Sequence, residues 1–227
     1  MSKEPKTHDE LDTVNEALTR SEQFIEKNQK NIITAVIAVL LVVSAILSFR
    51  YFYILPKQER AQAEMFKGVF YFEKDSFQLA LTGNGTDYVG FEAIADEHSS
   101  TPAGNLAQAY AGISHMRLGN YEQAIKYLKA FDADDDMVAP TLIGAIGDCY
   151  VNMDQVKEGI SYFEKAAKKA DNDLISPIYL KKAGIAYESL KEYDKAVKAY
   201  ETIKNKYASS MEASDIEKYI ERASVQK

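Results

Sequence analysis

The pattern of apolar and polar positions changes twice along the chain. In the polar stretch 1–31, Leu11, Val14, Leu18, Ser21 and Ile25 fall at heptad spacing. That spacing predicts a short amphipathic helix, either a solvated tail or a docking element for a partner. From Ile32 to Phe49 the periodicity is lost: eighteen consecutive residues carry no charge, and apolar side chains fall on all sides of a helix. At about 1.5 Å per residue this run covers roughly 27 Å, or about 36 Å through Leu55, against a hydrocarbon core of about 30 Å. Arg50, Tyr51 and Tyr53 stand where a snorkelling cation and interfacial aromatics belong, and Pro56 follows the span. We therefore expect a single transmembrane helix over 32–55. The run is too long, and preceded by too many polar residues, for a cleaved signal peptide. Arg20, Lys27 and Lys30 on one flank balance Arg50, Lys57, Arg60 and Lys67 on the other, so charge does not orient the span.

Beyond the span a helical periodicity repeats. Ala111-Gly-Ile-Ser-His-Met-Arg-Leu-Gly-Asn-Tyr-Glu-Gln-Ala-Ile-Lys-Tyr-Leu128 aligns with Ile146–Phe163 and with Ala183–Tyr200. Gly112, Gly147 and Gly184 recur at spacings of 35 and 37 residues, as do Ala124, Gly159 and Ala196, and then Leu128, Phe163 and Tyr200. A small residue in each helix allows close approach, and the larger side chain fills the remaining gap. This is the helix–turn–helix pattern of the tetratricopeptide repeat, with a period near ~34 residues. A degenerate copy precedes the clear ones: Phe91–Ala103 parallels Tyr200–Glu212, which places a second helix at 88–98. The apolar stripe Ala61, Met65, Phe66, Val69, Phe70 and Phe77 marks a first helix within 57–81, with Thr82–Thr86 as an inserted loop. The expected fold is all-α: one transmembrane helix, then an α-solenoid of about four helix pairs. Its parts are a polar tail 1–31, the span 32–55 and a repeat domain 57–224. The latter comprises a degenerate repeat 57–102, repeats at about 105–138, 140–173 and 177–210, and a capping helix 211–224.

The layout of polar tail, anchor and divergent-then-clear repeats resembles the bacterial family of ancillary Sec-translocon subunits (YfgM-like), in its Bacteroidota form. Phe66–Leu81, Ala103–Ala107 and Ala145–Asp148 carry the resemblance. It implies a protein of the bacterial inner membrane with a cytoplasmic tail and periplasmic repeats. The partners it implies are the translocon and periplasmic chaperones or exported chains. An envelope or division scaffold acting by self-association, and so a homo-oligomer, is the alternative. A third is an adaptor of opposite topology.

Composition narrows the chemistry. A formal charge of −7 argues against nucleic-acid binding. The single cysteine, Cys149, excludes an internal disulfide and reads as a small core hydrophobe. No phosphate loop, acid–base pair or dinucleotide fingerprint is present, so neither an enzyme nor a cofactor is expected. Asp132, Asp134, Asp135 and Asp136 lack the turn glycine and later glutamate of a calcium loop and read as a solvated inter-repeat turn. His8, His98 and His115 form no metal constellation, and Asn84-Gly-Thr86 is better explained by a flexible loop than by glycosylation. On the repeat register the candidate protein-binding groove is lined by Ile113, Met116, Arg117, Asp148, Asn152, Lys181, Ile185 and Glu188. Arg117 and Lys181 are expected to be exposed there. Ala109 and Ile113 stand where a carboxylate clamp needs Lys and Asn, so capture of chaperone C-termini by that route is not expected.

Overall fold

The computed structural model describes the backbone of residues 7–226 and the side chains of residues 24–226, and the secondary structure of these residues is entirely helical. The chain divides into two compact units, 1–55 and 56–227. The first holds α1 (Thr7–Phe49) and a wider π-helical stretch, Arg50–Ile54. Among the described residues this is the one helical region long and apolar enough to cross a membrane; its most apolar window has a mean hydropathy of 2.9 and none of it is buried. Of the heptad stripe, only Ile25 lies within the described side chains, and it is exposed.

The second unit is a stack of helix pairs. α2 (Leu55–Glu73), α3 (Phe77–Thr82) and α4 (Phe91–Glu97) begin it. α5 (Pro102–Arg117) pairs with α6 (Tyr121–Ala130), α7 (Val138–Asn152) with α8 (Val156–Ala170), and α9 (Ser176–Ser189) with α10 (Tyr193–Lys206). A 3-10 turn, Glu212–Asp215, and α11 (Ile216–Val225) close the end against α9 and α10. Helix starts follow local chemistry. The Thr101 hydroxyl accepts from the Gly104 amide at 3.0 Å with Pro102 in the first turn, and Pro177 occupies the same place in α9.

One contact recurs in every pair. A Cβ built on Gly112 would stand 2.6 Å from Leu128 Cγ, and one on Gly147 would stand 2.7 Å from the Phe163 ring. Gly184 is pressed against the Tyr200 ring in the same way, and Gly68 against Phe91. The lock at Gly68 makes α2 the first helix of the degenerate pair, the helix that the apolar stripe marks within 57–81. The turn after each first helix repeats too. Asp75, Gly119, Asp154 and Lys191 all adopt positive φ, between 54° and 77°. In each case the next amide, of Ser76, Asn120, Gln155 or Glu192, donates at 2.9 Å to a carbonyl five residues back, the bonding that ends a helix in a left-handed turn.

The first pair departs from the sequence expectation. Where the pattern places one helix within 57–81, the left-handed turn at Asp75 breaks it into α2 and α3. The second helix is then interrupted between Thr82 and Phe91. This loop is organised by Asn84, whose Oδ1 accepts from the amides of Thr86, Asp87 and Tyr88, each at 3.1 Å. Its Nδ2 donates to Asp87 Oδ1 and to the Tyr71 hydroxyl, so the side chain is committed to the loop.

Two glycine exchanges in one helix pair have opposite signs. Gly184→Ala forces a methyl into the fully buried Tyr200 ring and costs about 1–3 kcal/mol. Lys191→Gly relieves a left-handed lysine and gains up to about 1 kcal/mol. Thermal melts of the full-length protein followed by circular dichroism will separate the two.

Candidate protein-interaction surface

The first helices of the pairs, α5, α7 and α9, share a face, and the capping segment continues it. Glu212, Asp215 and Arg222 each stand 34 residues after Ile178, Lys181 and Glu188, and so occupy the same register positions. Charges on this face pair across consecutive helices at the repeat spacing. Lys182 Nζ donates to both oxygens of Asp148 at 2.7 Å, and Lys181 Nζ to Asp215 at 2.8 Å. Arg222 grips Glu188 with two bonds, Nη2 to Oε1 at 2.7 Å and Nε to Oε2 at 2.9 Å, while the Tyr200 hydroxyl donates to Oε1. These pairs tie α7 to α9 and α9 to the capping segment, each a period away, and so hold the register of this end of the stack.

Burial pushes the Glu188 carboxyl up, but the hydrogen bonds from Arg222 and Tyr200 outweigh it and hold the group below its usual range. Burial in turn raises the Tyr200 phenol, reinforced by Glu188, so that it remains a donor.

Among the eight residues expected in the groove, Arg117, Asn152 and Ile185 are exposed and the other five are half-buried. Ile113 and Met116 pack against the core between α5, α6 and α7. Asp148 is spent on Lys182, and Asn152 donates to the Asp148 carbonyl at 2.8 Å. Lys181 corrects the sequence expectation of exposure: its ammonium is clasped by Asp215 and lies 4.3 Å from the centre of the Tyr219 ring, because the capping segment covers it. Ile178, Lys181, Lys182, Ile185, Met211, Glu212, Ser214 and Asp215 line an open hollow of about 400 Å³ between α9 and the cap. Leu106 and Ile185 remain as exposed apolar positions in this register, at 44% and 47% exposure, and Met211 stands 85% exposed at the edge of the hollow. The surface therefore offers apolar contacts between charges that already have partners. Sequence reasoning missed Lys182, Asp215 and Arg222, although the 34-residue offset signals the last two.

A second lock joins pairs. Tyr179 of α9 lies over Gly144 of α7, where a Cβ would overlap its ring, and its hydroxyl donates to the Thr141 carbonyl at 3.1 Å. Burial pushes this phenol up to about 12.

The acidic run is a set of structural contacts. Asp135 accepts from the amides of Met137 at 2.8 Å and Ala139 at 3.2 Å and so caps α7; the bonds from Met137 and Val138 hold its carboxyl below its usual range. Asp134 pairs with Lys169, the Asp136 carbonyl accepts from Asn172, and Asp132 exchanges two hydrogen bonds with Asn105. Asp171 repeats the Asp134 pairing one period later, with Lys206.

Burial raises the Cys149 thiol to about 11, with Asp148 adding to the effect, so it is no nucleophile at neutral pH. His115 is buried in stacking contact with Tyr127, with Nε2 2.9 Å from Glu92, which ties α4 to α5. His98 Nε2 lies 3.9 Å from Glu64, and His8 falls outside the described side chains. Among the described residues no group of three His, Cys, Asp or Glu side chains is placed to hold a metal.

Helix pairs, left-handed turns and glycine locks define a tetratricopeptide-like helical solenoid. Residues 141–170 and 180–210 each match a family model described as a tetratricopeptide repeat. Among solved structures, the chain is similar to the nearly identical TPR-like repeats attributed to a kinesin light chain of Podosopora anserina. The match has a TM-score of 0.54 and 14% identity, and covers 74% of this chain and 87% of that one. A second crystal structure of those repeats aligns with the same TM-score and coverage at 13% identity. The crystal structure of MamA protein aligns at 20% identity and a TM-score of 0.49 over 74% of this chain and 88% of its own. At these identities the likeness shows the fold alone. No curated protein sequence matches the chain.

The Glu188–Arg222 clasp predicts an acid limit for the cap. Glu188 has a folded pKa below its usual 4.5, so its contribution is complete above that value and is lost as pH falls through the folded one. In Arg222→Ala, only the Tyr200 hydroxyl still opposes burial and the Glu188 pKa rises, so destabilisation begins at a higher pH. The loss at neutral pH should be about 1 kcal/mol after solvent screening. Acid titrations of both proteins followed by circular dichroism will show the shift.

Proposed function

We propose that the chain is a membrane-anchored repeat protein that works by binding other proteins, as an ancillary component of the translocon or of a periplasmic chaperone network. In this reading the chain crosses the bacterial inner membrane once through 32–55, and the repeat unit faces the periplasm. Tetratricopeptide domains generally mediate protein–protein interactions and are typically non-catalytic. The observation that carries the reading is the face shared by α5, α7, α9 and the cap. Asp148, Lys181, Lys182 and Glu188 on it are paired internally, while Leu106, Ile185 and Met211 stay exposed to meet apolar side chains of a peptide-like partner and Arg117 stays exposed for a polar contact. The order of polar tail, apolar helix and repeats supports the translocon assignment.

Full-length tagged protein purified from its own membranes in mild detergent should bring down translocon subunits or exported-protein chaperones, identified by mass spectrometry. Protease added to spheroplasts should digest the repeats. The double variant Arg117→Glu, Ile185→Asp changes exposed side chains only; it should lose the partner at least about tenfold, roughly the 1.4 kcal/mol expected of an interface contact, while its thermal melt is unchanged. Undiminished recovery would move the binding site elsewhere. Recovery of the protein alone would favour a self-associating scaffold.

A further inference from the structure

The capping segment sets three charged residues one period after residues of α9, and only two of them find a partner there. Asp215 stands 34 residues after Lys181 and takes its ammonium at 2.8 Å, and Arg222 stands 34 residues after Glu188 and grips its carboxylate. Glu212 stands 34 residues after Ile178, which offers a charge nothing. In the repeats this register position is held by Leu106, Thr141 and Ile178, so a carboxylate enters the row only at the cap. Among the described residues no cation pairs with Glu212. Lys181 and Lys182, which line the same hollow, are held by Asp215 and Asp148. Half-buried Glu212 is thus the exception beside a hollow whose other charges are matched one for one.

The rest of the free lining is apolar. Ile178 and Ile185 belong to α9, and Met211, at the start of the cap, is almost wholly exposed. The volume of about 400 Å³ falls within the roughly 300–1,000 Å³ of ligand pockets, which suits a few side chains of an extended segment. We propose that the hollow reads a lysine or arginine next to a large aliphatic side chain in such a segment of the partner. The aliphatic group fills the space between Ile178, Ile185 and Met211, and the cation meets Glu212. Charge complementarity selects this occupant. An acidic segment would bring like charge against Glu212, and a purely apolar one would cover the carboxylate and leave it without a partner. A cation on the occupant removes both penalties with a charge-assisted hydrogen bond. The unbranched Met211 side chain adapts to different aliphatic shapes, so the hollow specifies a charge and apolar bulk more than one sequence. The inference rests on the reading of this face as the partner surface and names what the partner must carry.

Full-length protein in mild detergent would be titrated into three fluorescein-labelled nine-residue peptides, followed by fluorescence anisotropy. The first carries leucine–arginine–leucine within serines and glycines. The second has glutamate for the arginine, and the third keeps the arginine but has serine for both leucines. The first should bind at least about tenfold more tightly than either of the others. Glu212→Lys should reverse the order of the first two peptides. Met211→Ser should weaken the first at least about threefold and leave the preference for arginine in place. Thermal melts of both variants should match the parent, since neither side chain belongs to the core. Equal binding of the arginine and glutamate peptides, or an arginine preference that Glu212→Lys leaves unchanged, would overturn the inference while peptide binding by this face stands. If none of the three peptides binds, the inference falls as well, and recovery of a partner from the membrane then tests the wider function on its own.

Discussion

The repeat unit depends on a close approach of two helices over a residue with no side chain. Gly68, Gly112, Gly147 and Gly184 each receive the larger side chain of the partner helix, from Phe91, Leu128, Phe163 and Tyr200. Because the space a Cβ would need is already filled, the lock sets both the separation of the helices and the position of one along the other. The left-handed turn seven residues after each of these glycines then sends the chain back into its own partner. Packing thus limits what the turns may contain. Gly119 meets no steric penalty in that conformation, whereas Asp75, Asp154 and Lys191 pay a small one that burial in the adjacent pair offsets.

Between pairs the organisation is electrostatic as well as apolar. Asp148–Lys182 joins α7 to α9, Lys181–Asp215 and Glu188–Arg222 join α9 to the capping segment, and Asp134–Lys169 and Asp171–Lys206 join a connecting turn to the end of a second helix. Each partly exposed pair is worth little alone. Their value lies in being repeated at one period, so that a slip by a residue would separate all of them. The capping segment uses the same register without forming another pair: it supplies Asp215 and Arg222 to α9 and turns Glu217, Lys218 and Glu221 to solvent.

This division of labour has a functional consequence. Charges that look available in the sequence are mostly consumed in holding the solenoid together, and the exposed apolar positions Leu106, Ile185 and Met211 are left to discriminate among partners. Phe66 and Phe70 of α2 are exposed on the side of that helix opposite its buried residues Ala61, Met65 and Gly68.

Periodicity alone determined the all-helical class, the apolar stretch and the three clear helix pairs, because a 3.6-residue pattern and a recurring small residue are properties of the chain read in order. The first pair was only partly legible. Its inserted loop hides the Gly68–Phe91 contact, which spans 23 residues where the others span 16. The candidate surface was legible as a set of register positions and not as a set of free side chains. Whether Lys181 meets solvent or Asp215, and whether Asp135 is a solvated charge or the cap of α7, depends on what a segment tens of residues away, or a neighbouring helix end, places beside it. Tertiary structure decided those outcomes, since exposure and pairing are properties of neighbours in space.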